Sequence, residues 1–251
     1  MRPIGKAEEG SSAPRYRNPP IVEAAISIEF QALADDILPS LRAFCATLKT
    51  AYPEQSARFQ QEARLQFGKT VAYESQPHED GTVCISSDRK RFAQISLSGL
   101  AFSRLAPYGS WADFESQVRP LWESFANTFA VQPSIVSLRY INKIDIPLDM
   151  KMEAFLRTYP EISHDLPQLI GPYFMRVQVP MVNRVGEPML IMQQGFVQPT
   201  SANHYGILLD NELRYEVQSA ADVWPKALLG RKEKNLVFEA CITDELRERL
   251  S

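Results

Sequence analysis

The chain has 251 residues, 45% hydrophobic and 23% charged, with a formal net charge of −3. That length can bury a large core, as one domain or as two halves of roughly 125 residues. The mild acidity argues against a phosphate-backbone binder, which carries a basic excess or stripe. No apolar stretch approaches the roughly 20 residues of a membrane span.

Residues 1–17 are polar and hold Gly, Ser and Pro, which predicts a disordered tail. They contain no apolar signal-peptide core, so the expected location is the cytoplasm. Asn18-Pro19-Pro20 then forces extended backbone. From Ile21 to Phe30 apolar residues alternate with Glu23, Ala25, Ser27 and Glu29, the period of a strand with one buried face. Asp35 or Asp36 is placed to cap a helix whose stripe is Leu38, Leu41, Phe44, Cys45 and Leu48. A strand is predicted around 62–74. Thr82–Ser87, Phe92–Ser98 and Leu100–Leu105 then read as a meander, turned at Asp88-Arg89-Lys90-Arg91 and at Ser98-Gly99.

Ser110 opens the clearest helix. Asp113 follows three residues later, an Asp variant of the capping box. Trp111, Phe114, Val118, Leu121, Trp122, Phe125 and Phe129 keep a 3-4 rhythm, and Pro120 is expected to kink the helix. Residues Ser134–Pro147 form the organising strand. Val136, Leu138, Tyr140, Asn142, Ile144 and Ile146 lie on one face, with Ser137, Arg139, Ile141, Lys143 and Asp145 on the other. A short helix is predicted over Met152–Tyr159, and a loop at His164–Pro167. Strands are predicted over Tyr173–Met181, Pro188–Val197 and Tyr205–Tyr215. A last long helix is capped by Asp222, and a final turn by Thr243.

The order is strand, helix, three or four strands, helix, and then the same again. It predicts an α+β fold, an antiparallel sheet with helices on one face, built by structural duplication. The halves are 18–132 and 133–251, in one continuous domain, and the second lacks a clear fourth meander strand. The element order is similar to TATA-binding-protein-like and helix-grip-like folds. That is an analogy of order, and it carries no function.

Four stretches together resemble one family: Asn18-Pro19-Pro20-Ile21-Val22-Glu23-Ala24, Arg104-Leu105-Ala106-Pro107-Tyr108-Gly109-Ser110-Trp111, Leu138-Arg139-Tyr140-Ile141-Asn142-Lys143-Ile144 and Phe238-Glu239-Ala240-Cys241-Ile242-Thr243-Asp244. They look like a sporadically distributed bacterial family of conserved hypothetical proteins of this length. The resemblance implies a bacterial cytosolic protein of accessory distribution. It transfers no activity, cofactor or site.

The chemistry-bearing residues are sparse. Cys45, Cys84 and Cys241 are far apart and form no C-x-x-C, which excludes a zinc or redox signature and predicts buried free thiols. His78, His164 and His204 lack metal-ligand spacing, and no G-x-S-x-G, G-x-G-x-x-G or P-loop occurs. Asp210 and Glu212 are two apart on a strand and so share a side, read as a solvated face. Arg139 sits mid-strand and is expected to pair with Glu23 or Glu29. Asn142, on the apolar face, must find hydrogen-bond partners.

The residues therefore predict a non-enzymatic protein-interaction or binding module without catalytic residues, metal or cofactor. The expected partner is another bacterial protein or a second copy, not nucleic acid or membrane. The alternative is a small-ligand-binding protein, or an enzyme of unrecognised type, with a pocket formed by the curved sheet. Arg139, Arg104, Tyr140 and Asn142 are the expected binding residues for either.

Overall fold

A computed structural model describes residues 16–66, 72–163, 165–166 and 171–251. Of the tail expected over residues 1–17, residues 1–15 lie outside the described residues, as do His164 and Pro167. Tyr16 is docked: its hydroxyl donates to Glu239 Oε1 at 2.5 Å.

The first half runs β1 (Ile21–Phe30), α1 (Leu38–Thr47), β2 (Glu54–Gln66), β3 (Ala72–Ile85), β4 (Arg91–Ser96), β5 (Gly99–Leu105) and α2 (Trp111–Phe129). The second runs β6 (Pro133–Pro147), β7 (Phe174–Pro180), β8 (Met189–Val197), β9 (His204–Glu216), α3 (Val223–Cys241) and α4 (Asp244–Leu250). The nine strands among the described residues join one antiparallel sheet in the order β2-β3-β4-β5-β1-β6-β9-β8-β7. Outward from the central β1–β6 pair, one side reads β5-β4-β3-β2 and the other β9-β8-β7.

The α+β architecture is the expected one, and period-two alternation explains it. On β1, Ala24, Ile26 and Ile28 are fully buried and Phe30 nearly so, while Glu23, Ala25, Ser27 and Glu29 face the other way. The buried face carries the helices. On α2, Trp111, Phe114, Val118, Leu121, Trp122 and Phe125 are all buried. Phe125 meets Phe30 of β1 and Phe44 of α1 with ring centroids 5.5 Å apart in each pair. Burying each such ring contributes roughly 1.5–3 kcal/mol before entropy. Helices α2 and α3 lock to each other reciprocally. Arg119 of α2 lies 5.6 Å from the Trp224 ring of α3, and Arg231 of α3 lies 5.7 Å from the Trp111 ring of α2.

Local differences have local causes. The strand expected around 62–74 is the facing ends of β2 and β3, which pair from Glu54↔Ile85 to Gln66↔Ala72. The expected helix over Met152–Tyr159 is a single 3-10 turn, Met152–Ala154, followed by a bridge from Leu156 to Ile242. Burial of Phe155 and Leu156 beside α4 replaces helical propagation there. Ser110 caps α2 as expected, its Oγ accepting from Asp113 N at 3.1 Å, but the Asp113 carboxylate turns to Arg104 instead of closing the box. Neither Asp35, Asp36 nor Asp222 caps a helix with its side chain. Asp222 instead accepts from Gln218 N and Ser219 Oγ upstream. The three thiols are free and buried, as expected.

Candidate functional site

The sheet separates the four predicted binding residues. Arg139 lies on the face without helices. Arg104, Tyr140 and Asn142 lie beneath the helices, and this follows from strand parity: Arg104 and Tyr140 both pair with buried Ala24, whereas Arg139 pairs with Ala25.

Arg139 does not pair with Glu23 or Glu29. Its Nε and Nη2 donate to the two carboxylate oxygens of Asp210 at 2.8 and 2.6 Å, a bidentate fork. Those bonds hold the guanidinium above its usual pKa against the opposing effect of burial. Register accounts for the partner: Arg139 lies opposite Glu212, and Asp210 is two residues away on the same face of the adjacent strand. Asp210 is only 2% exposed and also accepts from Gln193 Nε2 at 3.1 Å. Its carboxylate is therefore shielded beneath Arg139, not the solvated group expected. Glu29 is taken by Arg214, which also binds Glu212 at 3.0 Å. Ser27 and Ser137 join across the central pair at 2.7 Å. These groups satisfy one another. The depression among them, lined by Ala25, Ser27, Ser103, Ser137, Arg139 and Glu212, holds about 160 Å³.

Beneath the helices, Arg104 is bound by Asp113. The Tyr140 hydroxyl lies 3.3 Å from that of Tyr108, and burial pushes both tyrosines above their usual pKa. Asn142 is 3% exposed and donates to Leu209 O at 3.4 Å, the structural role expected of it.

The two outer strands differ sharply. At one edge, β2 carries Glu54 and Arg58, which pair with Arg89 and Asp80, and its register slips between Arg58 and Phe59. Charges and irregular register are how edge strands discourage further pairing. At the other edge, β7 pairs with β8 in unbroken register from Phe174↔Gly195 to Pro180↔Met189. Nearly all of it is exposed: Phe174 is 71%, Val179 43% and Val177 37% accessible. Arg176 is the one charge on β7, and among the described residues it makes no ion pair. The following turn is pinned to α3. The Arg184 and Glu233 side chains lie 3.6 Å apart, and Gly186, at φ +79°, packs closely: a Cβ there would stand 3.2–3.3 Å from Leu229, Lys226 and Tyr215. Its tip presents Val182 and Val185 at 63% and 70% exposure. A cleft of about 600 Å³ continues from the end of β7, lined by Pro180, Met181, Val182, Pro188, Met189 and Tyr215 among others.

Sequence reasoning missed this edge. The signal was present as the absent fourth meander strand of the second half. Among the described residues no cluster of His, Cys, Asp and Glu could hold a metal ion, and no helix is long and apolar enough to cross a membrane. No protein-family model matches the chain, and no curated protein matches it.

Proposed function

We propose that the protein is a non-enzymatic interaction module of the bacterial cytoplasm that takes an extended segment of another polypeptide on the free edge of β7. The observation that carries this reading is the contrast between the two edges: β2 is charged and irregular, whereas β7 is regular, exposed and apolar on alternate residues. An unpaired row of backbone N–H and C=O groups with apolar neighbours is a template for strand addition.

The strand order says what the occupant resembles. The two halves are read as copies of one unit. Counting outward, β6, β9, β8 and β7 then correspond to β1, β5, β4 and β3. In the first half β3 is covered on its outer side by antiparallel β2, and among the described residues no strand covers β7 in the same way. A partner strand antiparallel to β7 supplies the missing position. Its side chains alternate apolar groups beside Met175, Val177 and Val179 with an acidic residue near Arg176. The cleft at the end of β7 gives the flanking segment a place to dock. The competing pocket on the uncovered sheet face, at about 160 Å³, falls short of the roughly 300–1,000 Å³ that small-molecule sites occupy.

The test is native mass spectrometry of untagged protein purified gently from its own host, beside the variant Val177→Lys/Val179→Lys. The expected result is a stoichiometric complex with a second polypeptide that the variant, with unchanged thermal stability, does not form. A partner retained by the variant contradicts the edge. A homodimer makes a second copy the occupant and overturns the heteromeric reading, and a bare monomer overturns both.

A further inference from the structure

The cleft at the end of β7 has room for side chains. Its volume of about 600 Å³ falls within the roughly 300–1,000 Å³ of formed binding sites. One wall is the β7–β8 turn, and the other is the end of β9 with the first turn of α3. The turn is fixed by its own backbone. Met181 N donates to Pro188 O at 3.0 Å, Arg184 N to Met181 O at 3.0 Å and Glu187 N to Arg184 O at 2.9 Å. Gly186 packs the same turn against Leu229 and Tyr215. The cleft is therefore formed before anything enters it.

Its apolar lining includes Pro180, Met181, Val182, Met189 and Val217. Its charges do not balance. Lys226 and Asp222 contribute one of each sign. Arg214 is already held by Glu29 and Glu212, at 2.8 and 3.0 Å. Glu187, from the turn, and Glu216, the last residue of β9, are both exposed. Among the described residues neither makes an ion pair. An apolar cleft with two uncompensated carboxylates is complementary to a cation on an apolar stem, which is how lysine and arginine are built.

Strand direction says which part of a partner arrives there. β7 runs from Phe174 to Pro180, and the cleft lies at its Pro180 end. A strand paired antiparallel to β7 begins at that end, so the residues before it approach the cleft and those after it leave in the other direction. The added strand lies one spacing outside β7, and β9 lies two spacings inside. Three spacings of about 4.8 Å make roughly 14 Å, which about four extended residues span.

We propose that the cleft binds a lysine or arginine side chain, with an apolar neighbour, carried about four residues ahead of the partner's added strand. Glu187 and Glu216 draw the cation, and Met181, Val182 and Met189 take the apolar neighbour. This rests on the β7 reading and deepens it: the edge takes a strand by its backbone, and the cleft selects which strand.

The experiment has two arms. The first probes the cleft alone. Acetyl-Phe-Lys-amide and acetyl-Phe-Glu-amide are titrated into the isotope-labelled full chain, and backbone amide shifts are read by NMR. The expected result is that the lysine dipeptide shifts Val182, Glu187, Glu216 and Val217 and the glutamate dipeptide does not. In Glu187→Gln/Glu216→Gln the response weakens about threefold or more. Both side chains are exposed, so misfolding is not the expected cause. The second arm uses longer fluorescent peptides. Each carries Phe-Lys or Phe-Glu four residues ahead of a strand of alternating valine and threonine, with one glutamate placed to face Arg176. The lysine form should bind about fivefold or more tighter than the glutamate form. Val177→Lys/Val179→Lys should abolish binding of the long peptide and keep the dipeptide shifts. Equal binding of the two long peptides, or no cleft shift with the lysine dipeptide, overturns the cleft assignment and leaves the edge standing. A long peptide that binds no tighter than its dipeptide overturns the edge, and with it the assignment to a strand's flank.

Discussion

Replacing Arg139 by Met tests whether the uncovered sheet face is a satisfied structural surface. The substitution keeps an unbranched apolar stem and removes the fork. Asp210, 2% exposed, loses bonds of 2.8 and 2.6 Å and keeps only Gln193 at 3.1 Å. Breaking a buried pair from one side costs about 3–5 kcal/mol. The Arg139 side chain is 42% exposed, so solvent screening reduces the expected cost to about 2–3 kcal/mol. For a chain of this size each kcal/mol moves Tm by about 2–4 °C, which gives a fall of about 4–12 °C. The assay is circular dichroism under heat and under urea, in a cycle with Asp210→Asn. The double variant should be more stable than the sum of the single losses by about 1–3 kcal/mol, because the stranded charge is gone. A single variant within about 0.5 kcal/mol of wild type, or a cycle without coupling, refutes the reasoning.

Other expectations follow from burial and backbone proximity. Lys234, with its pKa lowered from 10.5 to about 8, binds its proton more weakly folded than unfolded. Stability contributed at this position therefore rises as pH climbs from about 8 toward 10.5, by up to about 3 kcal/mol. Comparing wild type with Lys234→Met across pH 7.5–9.5, below the tyrosine range, should show the variant ahead at the low end and the gap closing upward. Gly81→Ala should be severely destabilising, by more than about 3 kcal/mol, because a Cβ there would stand 2.1 Å from Ile95 O of the neighbouring strand. Gly230→Ala meets only side-chain atoms at 3.2 Å and gains helix propensity, so urea unfolding should place it within about 1 kcal/mol of wild type. Cys45, Cys84 and Cys241 are buried, and burial pushes Cys241 up to about 11. A disulfide exchange reagent should label none of the three until denaturant is added; rapid labelling of the native protein would contradict the packing.

Much of the fold was legible because strand periodicity is strong wherever one face is buried and the other is not. β1 alternates from Ala24 to Phe30 and β6 from Asn142 to Pro147, and both strands were placed within a residue or two. The short helix after β6 was not, because Phe155 and Leu156 are buried by packing at α4 and not by helical periodicity. Cap residues misled for a related reason: Asp113 and Asp222 have the right spacing, but Arg104 and the Gln218–Ser219 backbone turn compete for their carboxylates. The site was less legible than the fold. Parity placed Arg139 opposite Tyr140 correctly, yet the pairing register that brings Asp210 to Arg139 joins residues 71 apart in sequence, and no local pattern carries it. Lys234 was visible in principle as the single charge in the stripe Val223, Ala227, Gly230, Val237, Cys241. Leu228 and Leu236 on the same helix blur that stripe in the sequence, because both are apolar yet more than a third exposed.

Hydrogen exchange, read by mass spectrometry on the free protein and on its gently purified complex, tests the β7 edge most directly. The account predicts that the outward-pointing amides of Phe174–Val179, those not bonded to β8, exchange readily in the free protein and become protected in the complex, with β2 unchanged. Protection confined to β2 or to the uncovered faces of β1 and β6, with β7 still exchanging freely, would contradict it.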